Sequence, residues 1–387
     1  VSIRNRTWTS PSGETKSAWE VSYRAASGAR VRKLFDRKKD ADDFHAKARI
    51  AVQNGTHTPD SQSITVAAAA TQWLAECDSA GLERVTAVLY AQQVRSHIVP
   101  VLGGVKLSQL TALTVSAWED ALRAKGCSPK LIRRVRVNLG QIVGEAQRRG
   151  QVAQNVVRST GTAKVSKRRE AQRKLVVGVD IPSPAEIRQL LPQLQGRIRP
   201  LILTAAFAGL RWSELRGLTW ANVDLAAGTL SVTQRMDRYG TIGQTKSVAG
   251  ERSIPLLGLV VNALRELALS SGQGANRTDA LVFVNSRGNA RHRITVCAEF
   301  AQAQVAAGIV DTNGAAKYTG LHALRHFFAS WCINRKVDGG RELPLKVVQG
   351  LMGHSTISVT ADVYGHLFPA GNDQAELQAA ESAFLAG

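Results

Sequence analysis

Leu321-His322-Ala323-Leu324-Arg325-His326-Phe327-Phe328 is the stretch on which the reading turns. Leu321, Leu324, Phe328 and Cys332 recur at helical spacing, so they share one face and belong in a core. His322 and Arg325 stand three apart on an adjacent face, where both heads can reach one anion together. His326 and Cys332 read as structural. Upstream, Ala208-Gly209-Leu210-Arg211-Trp212-Ser213-Glu214-Leu215 ends one apolar helix at Gly209 and opens another. Arg211 sits on that junction with Glu214 at i+3, close enough to orient a guanidinium, although such a pair alone is more often a surface salt bridge. Strands are expected over 229–233, 242–246 and 252–256, with 247–251 as a hairpin loop and Lys246 at its edge. Downstream, Leu351-Met352-Gly353-His354-Ser355 precedes a helix whose Tyr364 follows His354 by ten residues. A lone Tyr is more often packing than chemistry, and Tyr23, Tyr90, Tyr239 and Tyr318 take the packing reading.

The 387-residue chain is 44% apolar and 21% charged, which suits two or three domains at roughly 100–200 residues each. Fifty Lys and Arg against 30 Asp and Glu leave a net charge of +20. A polyanion is the default partner for that imbalance, with solubility alone as the bland alternative. The charge is uneven: residues 61–177 hold 18 basic and 7 acidic groups, residues 1–60 hold 12 and 7, and residues 178–387 hold 20 and 16. Because phosphate neutralisation dominates nucleic-acid affinity, this concentration favours a dedicated grip in the middle third. The longest strongly apolar run, 201–210, is too short to cross a bilayer and no signal-peptide pattern opens the chain, so no membrane partner is expected. Cys77, Cys127, Cys297 and Cys332, spaced 50, 170 and 35 residues apart, fit neither a disulfide framework nor a zinc site and suit a reducing cytoplasm. The chain opens on Val1 rather than Met, so the expectation is an unconventional start or one lacking a few residues.

Residues 1–60 read as a small sheet followed by a helix. Trp19, Val21 and Tyr23 alternate with polar residues, Ser27-Gly28 supplies a turn, and 31–35 forms the returning strand. A helix over 40–53 carries Ala41, Phe44, Ala48 and Val52, and the stretch 54–63 reads as a linker. Sixty residues make a marginal core, so this module is expected to be small and mobile.

Residues 64–158 read as all-helical. The first helix puts Val66, Ala69, Trp73 and Cys77 on one face; the second, around 85–98, stops at Pro100 and Gly103-Gly104; the third holds Val115, Trp118 and Leu122. The fourth opens at Ser128-Pro129, a cap and first-turn pair, and carries Leu131, Val135, Leu139, Ile142 and Val143 inward. Its other face shows Lys130, Arg133, Arg134 and Arg136, which read as DNA contacts, with a solvated helix face as the competing meaning. In the run 159–174, Lys164, Lys167, Arg168, Arg169, Arg173 and Lys174 meet the single acid Glu170. With almost no large apolar residue it cannot fold alone and reads as a basic tether, with Lys167, Arg168 and Arg169 as further candidate DNA contacts. Ser183-Pro184-Ala185-Glu186 then supplies a capping box for a new domain's first helix.

Taken in order, Gly209-Leu210-Arg211 with Glu214, the hairpin Lys246, His322 with Arg325, Leu351 to His354, and Tyr364-Gly365-His366 closely resemble the tyrosine recombinases of the phage-integrase family. The middle segment, with His97-Ile98-Val99-Pro100-Val101-Leu102-Gly103 followed by Leu107 and Leu110, resembles that family's core-site DNA-binding domain, and residues 1–60 resemble its small arm-site domain. Ser247 and Asn155-Val156 depart from the family's commoner Thr and Asn-Pro without touching a catalytic group. The fold implied is multidomain: a small α+β N-terminal module (1–60), an all-α core-binding domain (64–158), a basic linker (159–177), and a mainly α catalytic domain with a small antiparallel sheet (178–387).

Breaking a phosphodiester requires positive charge on the non-bridging oxygens, a nucleophile and a proton donor for the leaving oxygen. Arg211 and Arg325 suit the first task because a guanidinium offers fixed bidentate donors. The resemblance implies the remaining roles. Tyr364 attacks phosphorus to form a 3′-phosphotyrosyl link, Lys246 protonates the departing 5′ oxygen, His322 assists proton transfer, His354 hydrogen-bonds the phosphate, and Glu214 positions the arginine-bearing turn. No cofactor is expected, neither ATP nor metal. The implied partners are double-stranded attachment-site DNA, three further copies in a homotetramer that passes through a four-way junction, a host DNA-bending protein and a directionality factor. The tail 373–387, with Leu377, Ala380 and Phe384 as a stripe on an acidic helix, suits docking on a neighbouring protomer, with self-packing as the alternative. The implied activity is integration of a mobile element in the host cytoplasm; the competing readings are a topoisomerase-like nicking and resealing enzyme and a catalytically silent DNA-binding regulator.

Overall fold

The structure is a computed structural model that describes residues 2–24, 30–54, 57–60, 63–159, 174–245, 247–271, 279–368 and 374–386. The chain divides into two compact units, Val1–Arg168 and Arg169–Gly387. Lys246, the tether residues Lys167, Arg168 and Arg169, and the Ser27-Gly28 turn lie outside the described residues.

The first unit opens with an antiparallel sheet of β1 (Ser2–Thr9), β2 (Thr15–Arg24) and β3 (Arg30–Phe35), followed by α1 (Lys38–Gln53). Strand β1 was not expected. It has no buried apolar face, because Arg4 and Arg6 instead reach across to the buried carboxylate of Glu20. The helices that follow are α2 (Val66–Ser79), α3 (Arg84–Gln93), α4 (Val99–Leu102), α5 (Ala112–Ala124), α6 (Pro129–Arg148) and the short α7 (Val156–Ser159). The expected stop at Pro100 is corrected. A π turn at Val94–Ile98 shifts the register so that Pro100 enters the first turn of α4, where its missing N–H costs nothing. Helix α6 buries Ile132, Val135, Leu139, Ile142 and Val143, while Leu131, expected inward, is only half-buried. Asn155 stands beneath α6, its Nδ2 donating to the Gly140 carbonyl at 2.7 Å.

The second unit contains α8 (Pro184–Leu190), α9 (Ile198–Ala208), α10 (Trp212–Gly217), β4 (Val223–Asp224), β5 (Thr229–Val232), β6 (Gln234–Met236), β7 (Ile242–Gln244), β8 (Arg252–Pro255), α11 (Gly258–Ser271), α12 (Arg293–Ala306), α13 (His322–Ile333), α14 (Leu345–Met352), α15 (Ile357–Tyr364) and α16 (Gln374–Leu385). The capping box forms as read: Ser183 Oγ accepts from the Glu186 N–H, and Glu186 Oε2 accepts from the Ser183 N–H. Helix α9 is apolar on every side and buried, as a central helix must be, with α11 and α13 packed on it. The expected hairpin of 242–246 with 252–256 is corrected. β7 pairs with β6, while β8 pairs with β5 in a separate sheet ordered β4-β5-β8, so 247–251 runs between two sheets. Strands of three or four residues carry too little alternation to specify a partner.

Candidate active site

Two glycines fix the frame. Gly209 and Gly353 end α9 and α14 in the left-handed region, at φ 62° each. At Gly209 the second reason for glycine is contact: a Cβ there would lie 2.2 Å from the Phe328 ring of α13. Each helix thus stops abruptly with free carbonyls at its negative end, a place that favours cations.

Three arginines take up those carbonyls. At the end of α14, Leu351 O accepts from Arg252 Nε at 2.7 Å, Met352 O from Arg325 Nη2, and Gly353 O from Arg211 Nη2 at 2.9 Å. Arg325 Nη1 also donates to Gly209 O at the end of α9. Glu214 ties two of the three together. Its Oε1 accepts from Arg211 Nη1 at 2.7 Å, and its Oε2 accepts from Arg252 Nη2 and the Arg211 N–H, each at 2.9 Å. Burial would raise the Glu214 pKa, but the charge and hydrogen bond of Arg252, with those of Arg211 behind them, hold it down at about 2. Arg325 is 2% exposed, whereas the Arg211 side chain is 34% exposed, so only the second guanidinium presents substantial surface.

His354 follows α14 directly. Its Nε2 lies 3.2 Å from Arg325 Nη2, its Nδ1 lies 2.9 Å from Thr360 Oγ1, and its ring lies parallel to that of Tyr364 with centroids 6.4 Å apart. Tyr364, at the end of α15, is 2% exposed and packs in a core cluster with Phe328, Cys332 and Met352. His326 meets it: Tyr364 Oη and His326 Nδ1 are 2.6 Å apart, and the His326 ring stands edge-on to that of His322, 4.5 Å between centroids. His322 is exposed. Arg211, Glu214, Arg325, His354, Tyr364 and His322 therefore fall in one connected cluster.

The electrostatics are those of a cationic site whose imidazoles and phenol rest neutral. Burial, then the charges of Arg325 and Arg211, push His354 down to about 4, and the same causes lower His322. Burial, His322 and Arg325 push His326 to about 4, with Asp180 opposing. Burial pushes Tyr364 up to about 12 against the pull of Arg325 and Arg211. Three guanidiniums against one carboxylate leave room for an incoming anion. Among the described residues, no group of three or more His, Cys, Asp or Glu side chains stands together as metal ligands.

Two participants escaped the sequence reading. Arg252 left a signal in the period of β8, since alternation puts it on the same side as buried Ile254. His326, read as structural, gave no signal that it touches Tyr364, 38 positions away. On α6 the expected basic face is only partly open. Lys130, Arg133 and Arg134 are exposed, but Arg136 is half-buried and donates to Glu119 at 2.7 Å and to the Val157 carbonyl. Tyr239 is corrected from the packing reading: it is exposed, with Arg238 over its ring.

A cluster of guanidiniums at helix ends beside a buried phenol, on this order of elements, is that of a DNA-strand-transfer enzyme of the tyrosine recombinase class. Residues 183–370, just under half of the chain, match the phage integrase family. It is similar to a XerC-like tyrosine recombinase of Caldanaerobacter subterraneus subsp. tengcongensis, with 27% identity covering 89% of this chain and 90% of that one. An integrase of Streptomyces ambofaciens is 29% identical over 78% of this chain and 76% of its own length. Among solved structures, the Tn1549 transposon integrase in complex with transposon right end DNA superposes with a TM-score of 0.62 at 20% identity, covering 84% of this chain and all of that one. A lambda integrase tetramer bound to a Holliday junction gives 0.57 at 17% identity, covering 91% and 96%. Among the described residues, no helix is long and apolar enough to cross a membrane.

Proposed function

We propose that this site-specific recombinase is the integrase of a phage or other mobile element, cutting and rejoining DNA through a 3′-phosphotyrosyl intermediate at Tyr364. The observation that carries the reading is the seating of Arg252, Arg325 and Arg211 on three successive carbonyls, 351 to 353, with His354 and Tyr364 alongside. Guanidiniums whose other donors are already committed hold their geometry as charge develops on a phosphorane, which is how fixed donors lower a barrier. Arg211 and Arg325 neutralise the non-bridging oxygens, His354 hydrogen-bonds one of them, Lys246 protonates the 5′ oxygen as it leaves, and His322 assists that transfer. Glu214 keeps Arg211 aimed. The phosphotyrosyl ester conserves the energy of the broken bond, so rejoining needs no ATP.

The remaining parts of the chain are assigned by the same reading. Residues 1–60 grip arm sites, 64–158 grip the core site with Lys130, Arg133 and Arg134 while Arg136 is held by Glu119, and the linker 159–177 adds Lys167, Arg168 and Arg169. Four copies exchange strands through a four-way junction on the host nucleoid in the cytoplasm, with a DNA-bending protein and a directionality factor as accessories. Leu377 and Phe384 are exposed on α16 and supply apolar surface for a neighbouring protomer. A nicked suicide duplex carrying the attachment site adjoining the gene tests the core of the proposal. The wild-type chain is expected to form a covalent adduct, and Tyr364→Phe to bind equally and form none; an undiminished adduct in that variant would overturn the nucleophile assignment.

A further inference from the structure

We propose that His326 is a catalytic residue, the proton acceptor that releases the Tyr364 phenol as it attacks DNA. The inference rests on the assignment of Tyr364 as nucleophile and adds the group that receives its proton. His326 Nδ1 is the polar atom in direct contact with Tyr364 Oη, at 2.6 Å, within the reach required of a general base. The other candidate, His354, lies with its ring parallel to the phenol and has both nitrogens occupied, Nε2 by Arg325 and Nδ1 by Thr360. With its own proton on Nε2, the His326 imidazole offers a lone pair on Nδ1 along the phenol O–H.

The step balances as follows. The Oη–H bond breaks as Nδ1–H forms, Oη bonds to phosphorus, and the P–O5′ bond breaks with the 5′ oxygen taking its proton from Lys246. Rejoining runs in reverse, with the His326 imidazolium returning the proton to Oη. The groups facing His326 favour the neutral pair in the absence of DNA. His322 and Arg325 on α13 disfavour an imidazolium, and Asp180 opposes them. Tyr364 from α15 holds its proton, its ionisation opposed by burial and aided by Arg325 and Arg211. A scissile phosphate seated on Arg211 and Arg325 supplies negative charge that offsets those cations, so the imidazolium becomes tolerable only when substrate is present. Substrate-gated activation protects the nucleophile from idle chemistry.

His326→Asn retains an acceptor near the Nδ1 position without its proton affinity, and His326→Gln provides a second variant closer to the imidazole in volume. Single-turnover adduct formation on the nicked suicide duplex is measured from pH 6 to 9, with melting temperature and duplex affinity alongside. The expected result is native melting and affinity, a rate about 10²–10³-fold below wild type at pH 7, and a climb of about tenfold per pH unit as hydroxide replaces the missing base. A wild-type rate in either folded variant, or a slowed rate whose pH profile parallels wild type, overturns the proposal. Tyr364→Phe separates the two ideas: an adduct persisting there removes the nucleophile assignment, whereas its loss beside an unaffected His326→Asn removes only the base.

Discussion

The chain holds its positive charge in two different ways. On α6, Lys130, Arg133 and Arg134 stand exposed on one helix face. At the end of α14, Arg211, Arg252 and Arg325 have their donors committed to named carbonyls and to Glu214. Exposed cations act on a phosphate backbone mainly by releasing counterions, and one can stand in for another. Seated guanidiniums act by position, and position is what a transition state can use. Loss of a charge should therefore slow chemistry at α14 and weaken binding at α6.

The sharpest test of that contrast is Arg211→Ala. It is expected to cost on the order of 3 kcal/mol in transition-state stabilisation, about a hundredfold in single-turnover cleavage, with duplex affinity little changed. A near-normal cleavage rate would dissolve the distinction between the two regions.

Gly209→Ala attacks the frame rather than the charge. The left-handed backbone costs an Ala roughly 1–2 kcal/mol, and its Cβ would meet Phe328 Cδ1 at 2.2 Å, so the α13 contact must shift. Together these should destabilise the fold by about 2–4 kcal/mol in denaturant titration. An unchanged midpoint would mean that the α9–α13 junction is more pliant than its contacts indicate.

Glu214 gives the contrast a pH signature. Its pKa falls on folding from 4.5 to about 2, so it adds stability that is fully present above about pH 4.5 and lost as pH falls toward 2. The shift corresponds to about 3 kcal/mol at most. Glu214→Gln should leave Arg252 without its charge partner, lower stability at pH 7, and flatten the acid limb of the unfolding curve. An acid limb unchanged in that variant would place the charge coupling elsewhere.

How much of this was legible follows from distance along the chain. Arg211 with Glu214 and the Ser183 capping box are local patterns whose geometry is fixed by helical spacing, and they stand where the spacing puts them. His322 and Arg325, expected to face one anion together, differ in setting: His322 is exposed and Arg325 is buried on the Gly209 and Met352 carbonyls. The pairing of β7 with β6, the seat of Arg252 on Leu351 and the contact of His326 with Tyr364 join residues that no local period relates. The π turn before α4 was hidden for another reason: Pro100 marks a break, but not whether a shifted register will absorb it. Arg136 shows the limit of reading charge by face, because its acid partner Glu119 comes from α5.

That last residue makes the smallest prediction also the most discriminating one within α6. Arg133→Gln with Arg134→Gln should reduce the slope of log affinity against log salt by about 1.8, or 0.9 for each lost phosphate contact. Arg136→Gln should leave the slope nearly unchanged and lower stability instead, because it strips Glu119 and the Val157 carbonyl of a donor. Duplex binding from low to high salt, beside thermal melts, reads both effects. A full-sized slope change from Arg136→Gln would mean that DNA draws this guanidinium away from Glu119. A slope unmoved by the Arg133 and Arg134 pair would make that face solvated surface, leaving the core-site grip to be carried by other residues of the strongly basic middle third.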